Sequence, residues 1–207
     1  NAVKYMQEIG RQYPNCGYGG HFFYWIFSDD PQPYGSYGNG SAMRISPVGF
    51  AADSIEQAKA LSQAVTEVSH DHPEGLKGAE AVAVAIFLAR NGASMDEIRD
   101  YIDKNYYSMN FTLDQIREGY SFDVTCQGSV PQAFQAFFES QDFEDAIRNA
   151  ISIGGDSDTI AAICGGLAQA YYGIPAPIRN QAMAYLDDHL VEIVDTFESA
   201  YPIHPNK

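Results

Sequence analysis

Pro73-Glu74-Gly75-Leu76-Lys77-Gly78-Ala79-Glu80-Ala81-Val82-Ala83-Val84-Ala85-Ile86-Phe87-Leu88-Ala89-Arg90 is the stretch whose reading decides the fold. From Ala79 onward, Ala, Val, Ile, Phe and Leu occupy nearly every face of a 3.6-residue period, as in a helix surrounded by other helices. The apolar run of residues 79–89 contains Glu80 and is shorter than the ~20 apolar residues that cross a bilayer. It therefore reads as the central core helix and not as a membrane span.

Outward from it, almost every segment repeats its apolar residues at three to four positions, and several open on a capping box. Ser54 with Gln57 starts a helix running to about Ser69, Ser94 with Glu97 another to about Tyr107, and Thr112 with Gln115 a shorter one. Further helices are expected over residues 3–13, 21–27, 130–139, 143–152, 159–172 and 176–199, the last with a break. No strand alternation lasts beyond four residues. The chain reads as all-α, one multi-helix domain over its 207 residues, in line with roughly 100–200 residues per domain. Residues 14–20, 28–40 and 121–129 interrupt the pattern with Gly, Pro, Ser, Asp and Asn. The second is long for a structureless connection, about 12–15 residues being the usual limit, and sites are built on such loops.

With 45% hydrophobic and 19% charged residues the chain should fold. A net charge of −15 argues against a nucleic-acid backbone as partner, because that mode of binding needs Lys and Arg clusters. An acidic protein can still hold a diphosphate through backbone N–H groups and metal ions. Cys16, Cys126 and Cys164 are odd in number and widely spaced, so no disulfide framework is expected and a reducing cytoplasm fits. A monomer is the default. Asn1 is preceded by neither a start methionine nor a charged-then-apolar leader, so an upstream segment is expected to have been removed.

Two stretches carry chemistry. Gly154-Gly155-Asp156-Ser157-Asp158-Thr159 opens onto the apolar run Ile160-Ala161-Ala162-Ile163, which places two carboxylates and two hydroxyls at a helix N-terminus. One such residue is explained as an N-cap, worth about 0.5–2 kcal/mol. Crowding all four is better explained by a hard cation such as Mg²⁺, which offsets the repulsion between the carboxylates, while the glycines let the backbone turn sharply. Gly35-Ser36-Tyr37-Gly38-Asn39-Gly40-Ser41-Ala42-Met43-Arg44 reads either as a connection turned by Asn-Gly or as a cradle whose N–H groups wrap a phosphate. In Ser69-His70-Asp71-His72 the two rings do not share a helix face and no third ligand is near, so zinc is not expected. His72 reads as a solvated turn residue.

The acidic turn with Ile160-Ala161-Ala162, followed by Gly165-Gly166 and Ala170-Tyr171-Tyr172-Gly173, closely resembles the carboxy-terminal motif of the ADP-ribosylglycohydrolase family, of the dinitrogenase-reductase-activating glycohydrolase type. The resemblance implies that Asp156, Asp158 and Thr159 help to bind a pair of Mg²⁺ or Mn²⁺ ions. The glycine stretch is similar to the family's internal motif lining the ADP-ribose pocket. By that likeness Ser36, Tyr37, Gly38, Asn39, Gly40 and Ser41 would contact the diphosphate or riboses, with Tyr37 beside the base. His70 matches a Thr-His or Ser-His whose histidine approaches the nucleotide. Arg44 is expected to pair with a buried carboxylate. Residues 121–131 resemble a further stretch that would form a pocket wall, in which Cys126 packs; with no base beside it, it is not a nucleophile.

The resemblance starts partway into the family pattern. Members open with a Gly-Asp helix and a Thr-Asp-Asp or Ser-Asp-Asp motif that supply the other metal ligands and an acidic catalytic residue. Ser28-Asp29-Asp30 stands too close to the glycine stretch to take that role, so the catalytic residue is not located. The upstream part is expected to be truncated, on a separate chain, or genuinely absent. The expected function is metal-dependent hydrolysis releasing ADP-ribose from a protein or small-molecule acceptor at ribose C1″. The alternative is an ADP-ribose-binding or regulatory module without turnover.

Overall fold

In the computed structural model, which describes residues 1–202, the run Pro73–Arg90 is one helix of 18 residues, the sixth of thirteen among the described residues. In chain order these are α1 (Ala2–Gln12), α2 (Gly20–Phe27), α3 (Gly40–Met43), α4 (Ser46–Ala51), α5 (Ile55–Thr66), α6 (Pro73–Arg90), α7 (Met95–Asn105), α8 (Leu113–Ile116), α9 (Cys126–Phe138), α10 (Phe143–Ser152), α11 (Ser157–Tyr172), α12 (Ala176–Met183) and α13 (Asp188–Ala200). The all-α expectation holds, and the helices form one domain. Residues 203–207 of the expected domain lie outside the described residues.

The reason is visible on α6. Ala79, Ala81, Val82, Ala83, Val84, Ala85, Ile86 and Ala89 have no exposed surface, and α3, α4, α5, α7, α9 and α11 all pack against this helix. Burying an Ile or Phe side chain stabilises by about 1.5–3 kcal/mol, so the enclosed helix concentrates much of the core's driving force. Glu80 is accommodated at the edge of the core, where Tyr106 donates a hydrogen bond to it at 2.8 Å and Lys59 lies 3.6 Å away. Cys126 and Cys164 are buried free thiols and Cys16 an exposed one.

The capping boxes of Ser94–Glu97 and Thr112–Gln115 both form, and Ser54 accepts from the Gln57 N–H. The break expected within 176–199 is present: the segment is two helices, and the Asp187 carboxylate accepts from the Leu190 N–H to start α13 afresh. Two features differ from the expectation. Helix α9 begins at Cys126, four residues before the expected start, with Thr125 as cap and Pro131 inside the helix. Its start is held from a distance, since Cys126 donates to Tyr37 O and Asn39 to Val124 O. The short helices α3 and α4 were not anticipated: four and six residues are too few to show a period. Packing makes them, for a Cβ on Gly49 of α4 would lie 2.6 Å from Ile86 of α6.

Candidate active site

The acidic turn joins α10 to α11. Gly154 (φ +72°) and Gly155 (φ +69°) both take left-handed conformations, which cost an L side chain roughly 1–2 kcal/mol. Asp156 then stands at the N-cap position of α11, yet its side chain makes no capping hydrogen bond. Ser54, Ser94, Thr112, Thr125, Asp142 and Asp187 all do so at their own helices. The Asp156 carboxylate points elsewhere: it accepts from Asn39 Nδ2 at 2.6 Å. Burial raises its pKa above the usual aspartate value; the Asn39 hydrogen bond opposes this, Asp158 adds to it, and the Thr159 hydroxyl opposes it again. Asp158 is exposed, and Thr159 is buried with its hydroxyl donating to Met43 Sδ at 3.5 Å.

The glycine stretch runs between two supports. On one side the Gly35 N–H donates to Asp71 Oδ1 at 2.7 Å and the Tyr34 N–H to Ser69 O at 3.3 Å. On the other, an isolated antiparallel bridge pairs Gly38 with Thr125. Asn39 is 6% exposed, and its amide also reaches Ser129 Oγ at 2.9 Å and Asp123 O at 3.5 Å. Gly38 donates to Ser36 Oγ. Tyr37 is exposed, its ring 5.0 Å from that of His72. Ser41 faces inward: it is fully buried, with Oγ at 3.0 Å from Gly75 O and 3.3 Å from Cys126 Sγ. Cys126 is likewise buried, and its pKa is pushed up to about 11 chiefly by burial.

His70 is buried below this loop, with Nε2 3.7 Å from where a Cβ would stand on either Gly38 or Gly40. Burial first, then the nearby Arg44, push its pKa down to about 3, with Asp71 opposing. Two expectations need correction. Arg44 pairs with no carboxylate among the described residues; it donates to Ser69 Oγ at 2.7 Å and lies over the Phe22 ring. His72 is not simply solvated, since its Nδ1 accepts from the Glu74 N–H and caps α6. Asp30 is exposed and accepts from Gln32.

The sequence pattern of the ADP-ribosylglycohydrolase family matches residues 6–203. The chain belongs to that family. Among its relatives are an uncharacterized protein of Archaeoglobus fulgidus (31% identical, covering 63% of this chain and 48% of that one), the ADP-ribosylhydrolase ARH3 of Homo sapiens (25%; 68% and 51%) and the ADP-ribosylarginine hydrolase Tri1 of Pseudomonas putida (31%; 72% and 42%). The chain spans about half the length of the curated relatives it matches. The same fold occurs in a solved structure described as an ADP-ribosylglycohydrolase-related protein complex, with a TM-score of 0.66, 24% identity, and coverage of 85% of this chain and 66% of that one.

The glycine stretch and the acidic turn thus meet at the Asn39–Asp156 hydrogen bond. Two neighbours of that contact come from the stretch 121–131, and sequence reading missed a third, Tyr120. Ser129 and the Asp123 carbonyl hold the Asn39 amide, and the Tyr120 ring packs on Gly155 while its hydroxyl donates to Gly128 O at 2.7 Å. No local pattern marks Tyr120, because the glycine it packs on is 35 positions away. A surface groove lined by Asp188, Glu192 and Asp195 on α13 shares no residue with the site. Among the described residues no helix is long and apolar enough to cross a membrane.

Proposed function

We propose that the complete protein hydrolyses the bond between ribose C1″ of ADP-ribose and an acceptor, with the nucleotide lying along the glycine loop and the reacting ribose beside the acidic turn. The observation that carries this reading is the 2.6 Å hydrogen bond from Asn39 to Asp156. It supports the reading because it ties the glycine loop directly to the Asp156 carboxylate, which does not cap its own helix.

The donor set suits Mg²⁺ or Mn²⁺ in part. Carboxylate and hydroxyl oxygens are hard ligands, but Asp156, Asp158 and Thr159 supply only some of the about six oxygens such an ion takes. A bound pair of ions would supply Lewis acidity and orientation for ribose hydroxyls and water. This chain's own residues do the rest of the positioning. Asn39 restrains one carboxylate oxygen of Asp156, Oδ2. The N–H groups of Gly35, Gly38, Asn39 and Ser41 are already used within the loop and its supports, so a diphosphate would be met by those of Ser36, Tyr37 and Gly40. Tyr37 is exposed enough to meet a base, and Ser41 acts by holding the loop onto α6 and not by touching the ligand.

In the complete protein, Asp156→Ala with Asp158→Ala is expected to abolish metal-dependent release of ADP-ribose and leave the fold intact. Full activity in that double variant overturns the assignment. A second reading, binding without turnover, is favoured by one observation: among the described residues no three His, Cys, Asp or Glu side chains gather as a metal site. Calorimetry with ADP-ribose, with and without Mg²⁺, separates the two. Binding that ignores the metal and yields no product favours the module.

A further inference from the structure

Ser69, Arg44 and His70 form a buried polar chain under the glycine loop. Arg44 Nη2 donates to Ser69 Oγ at 2.7 Å, and Ser69 Oγ lies 2.9 Å from His70 Nδ1. We infer that Arg44 and Ser69 are positioning residues that hold His70 in its Nε2–H tautomer, so that an uncharged N–H donor faces the glycine loop, set for a phosphate or ribose oxygen of a bound nucleotide. The identity of the ligand rests on the function proposed above; the tautomer does not.

Proton counting carries the first half. A guanidinium has donors only, so Ser69 Oγ must accept from Arg44. Ser69 has no exposed surface, and its hydroxyl proton needs an acceptor. If His70 Nδ1 carried the ring proton, Ser69 would accept twice and its own proton would be a buried donor without a partner, an arrangement folded proteins avoid. With Nδ1 as acceptor the Ser69 hydroxyl both accepts and donates, and the ring proton resides on Nε2, facing the loop.

Geometry carries the second half. Nε2 is 3.7 Å from the Cβ position of both Gly38 and Gly40, so the donor lies beneath the two glycines of the loop and a side chain at either would crowd it. The Tyr34 ring, 5.7 Å away, flanks the imidazole on one side. Arg44 cannot swing away cheaply: it is held over Phe22 and close to Val65 O, and no carboxylate among the described residues competes for it. Its charge beside the ring also disfavours a second positive charge, in keeping with the lowered pKa of His70. The donor offered to the ligand is therefore neutral and transfers no proton to it.

The test is a long-range ¹H–¹⁵N correlation spectrum of the ¹⁵N-labelled full chain at pH 7. The expected result is a His70 pattern with Nε2 protonated and Nδ1 bare. Finding Nδ1–H, or an imidazolium, in the unaltered protein overturns the inference without need of any variant. Ser69→Ala is expected to replace that pattern by a mixture of tautomers, and Ser69→Thr to restore it; an unchanged spectrum in Ser69→Ala also overturns it. Calorimetry with ADP-ribose tests the ligand half: Ser69→Ala should bind about fivefold to tenfold more weakly, the scale of one neutral hydrogen bond, and Ser69→Thr should recover. Altered tautomers with unaltered affinity refute that half. If the unaltered chain shows the Nε2–H pattern yet binds no ADP-ribose, the tautomer stands and the proposed function is what fails.

Discussion

Replacing Gly155 by alanine tests how the acidic turn is built, because the neighbouring Gly154 provides an internal control. Both residues have φ near +70°. At Gly154 nothing lies within 4 Å of an added Cβ, whereas at Gly155 the Cβ would stand 2.3 Å from Tyr120 Cε1. Gly154→Ala should therefore cost only the left-handed penalty of roughly 1–2 kcal/mol, less about 0.4–1 kcal/mol recovered because the unfolded chain is stiffer. The net is about 1 kcal/mol. Gly155→Ala carries that cost and must also displace the Tyr120 ring. The displaced ring gives up its hydrogen bond to Gly128 O, about 0.5–1.5 kcal/mol, and part of its apolar burial, about 1 kcal/mol more. The total is about 3 kcal/mol. Urea unfolding at unchanged slope measures the difference directly. In a Tyr120→Ala background the cost of Gly155→Ala should fall back to that of Gly154→Ala, a coupling of about 2 kcal/mol between the two positions. Equal costs for the two glycines, or a cost at Gly155 that survives removal of the ring, would refute the view that Tyr120 packs down the turn.

Two further predictions concern buried titrating groups. Burial pushes Cys126 up to about 11 and Cys164 up to about 12, so at pH 8 a thiol reagent should label Cys16 alone in the folded chain and all three cysteines after denaturation, as read by mass spectrometry. Because these folded values lie above the ordinary 9.0, their contribution to stability is complete below about pH 9 and is lost as pH rises through 11 to 12. Cys164→Ala should show a shallower alkaline loss than the unaltered chain. His70 has the opposite sign: its folded value of about 3 lies below the ordinary 6.5, so its contribution is present above pH 6.5 and fades as pH falls toward 3. Comparing unfolding at pH 7 and pH 4.5 should show a smaller drop for His70→Gln than for the unaltered chain; equal drops would mean that the buried ring is not the group responsible.

Helix identity was legible in the sequence wherever a segment is long enough to repeat. Residues 73–90 announced an enclosed helix, and Ser94 with Glu97 announced a start that forms as expected. Both signals are local, since a period and a capping box need only neighbours within one turn. The same reasoning fails at α3 and α4, whose helical turns exist because Ala42, Ile45 and Phe50 are buried against the core and Gly49 lets α4 close onto Ile86. It also fails at the start of α9, which is anchored by hydrogen bonds to Tyr37 and Asn39 more than 80 residues earlier.

The candidate site divides along the same line. By itself the sequence determined its ingredients: a double glycine before two carboxylates, a glycine-rich loop, and a histidine after a serine, each confined to a few adjacent residues. Only the tertiary structure decided their arrangement. It turned the Asp156 side chain from cap to partner of Asn39, withdrew Ser41 into the core, left Arg44 without a carboxylate, and set Ser69 between that arginine and His70. Those outcomes depend on which polar group can reach which acceptor once water is excluded, and that is a property of atoms brought together from distant parts of the chain.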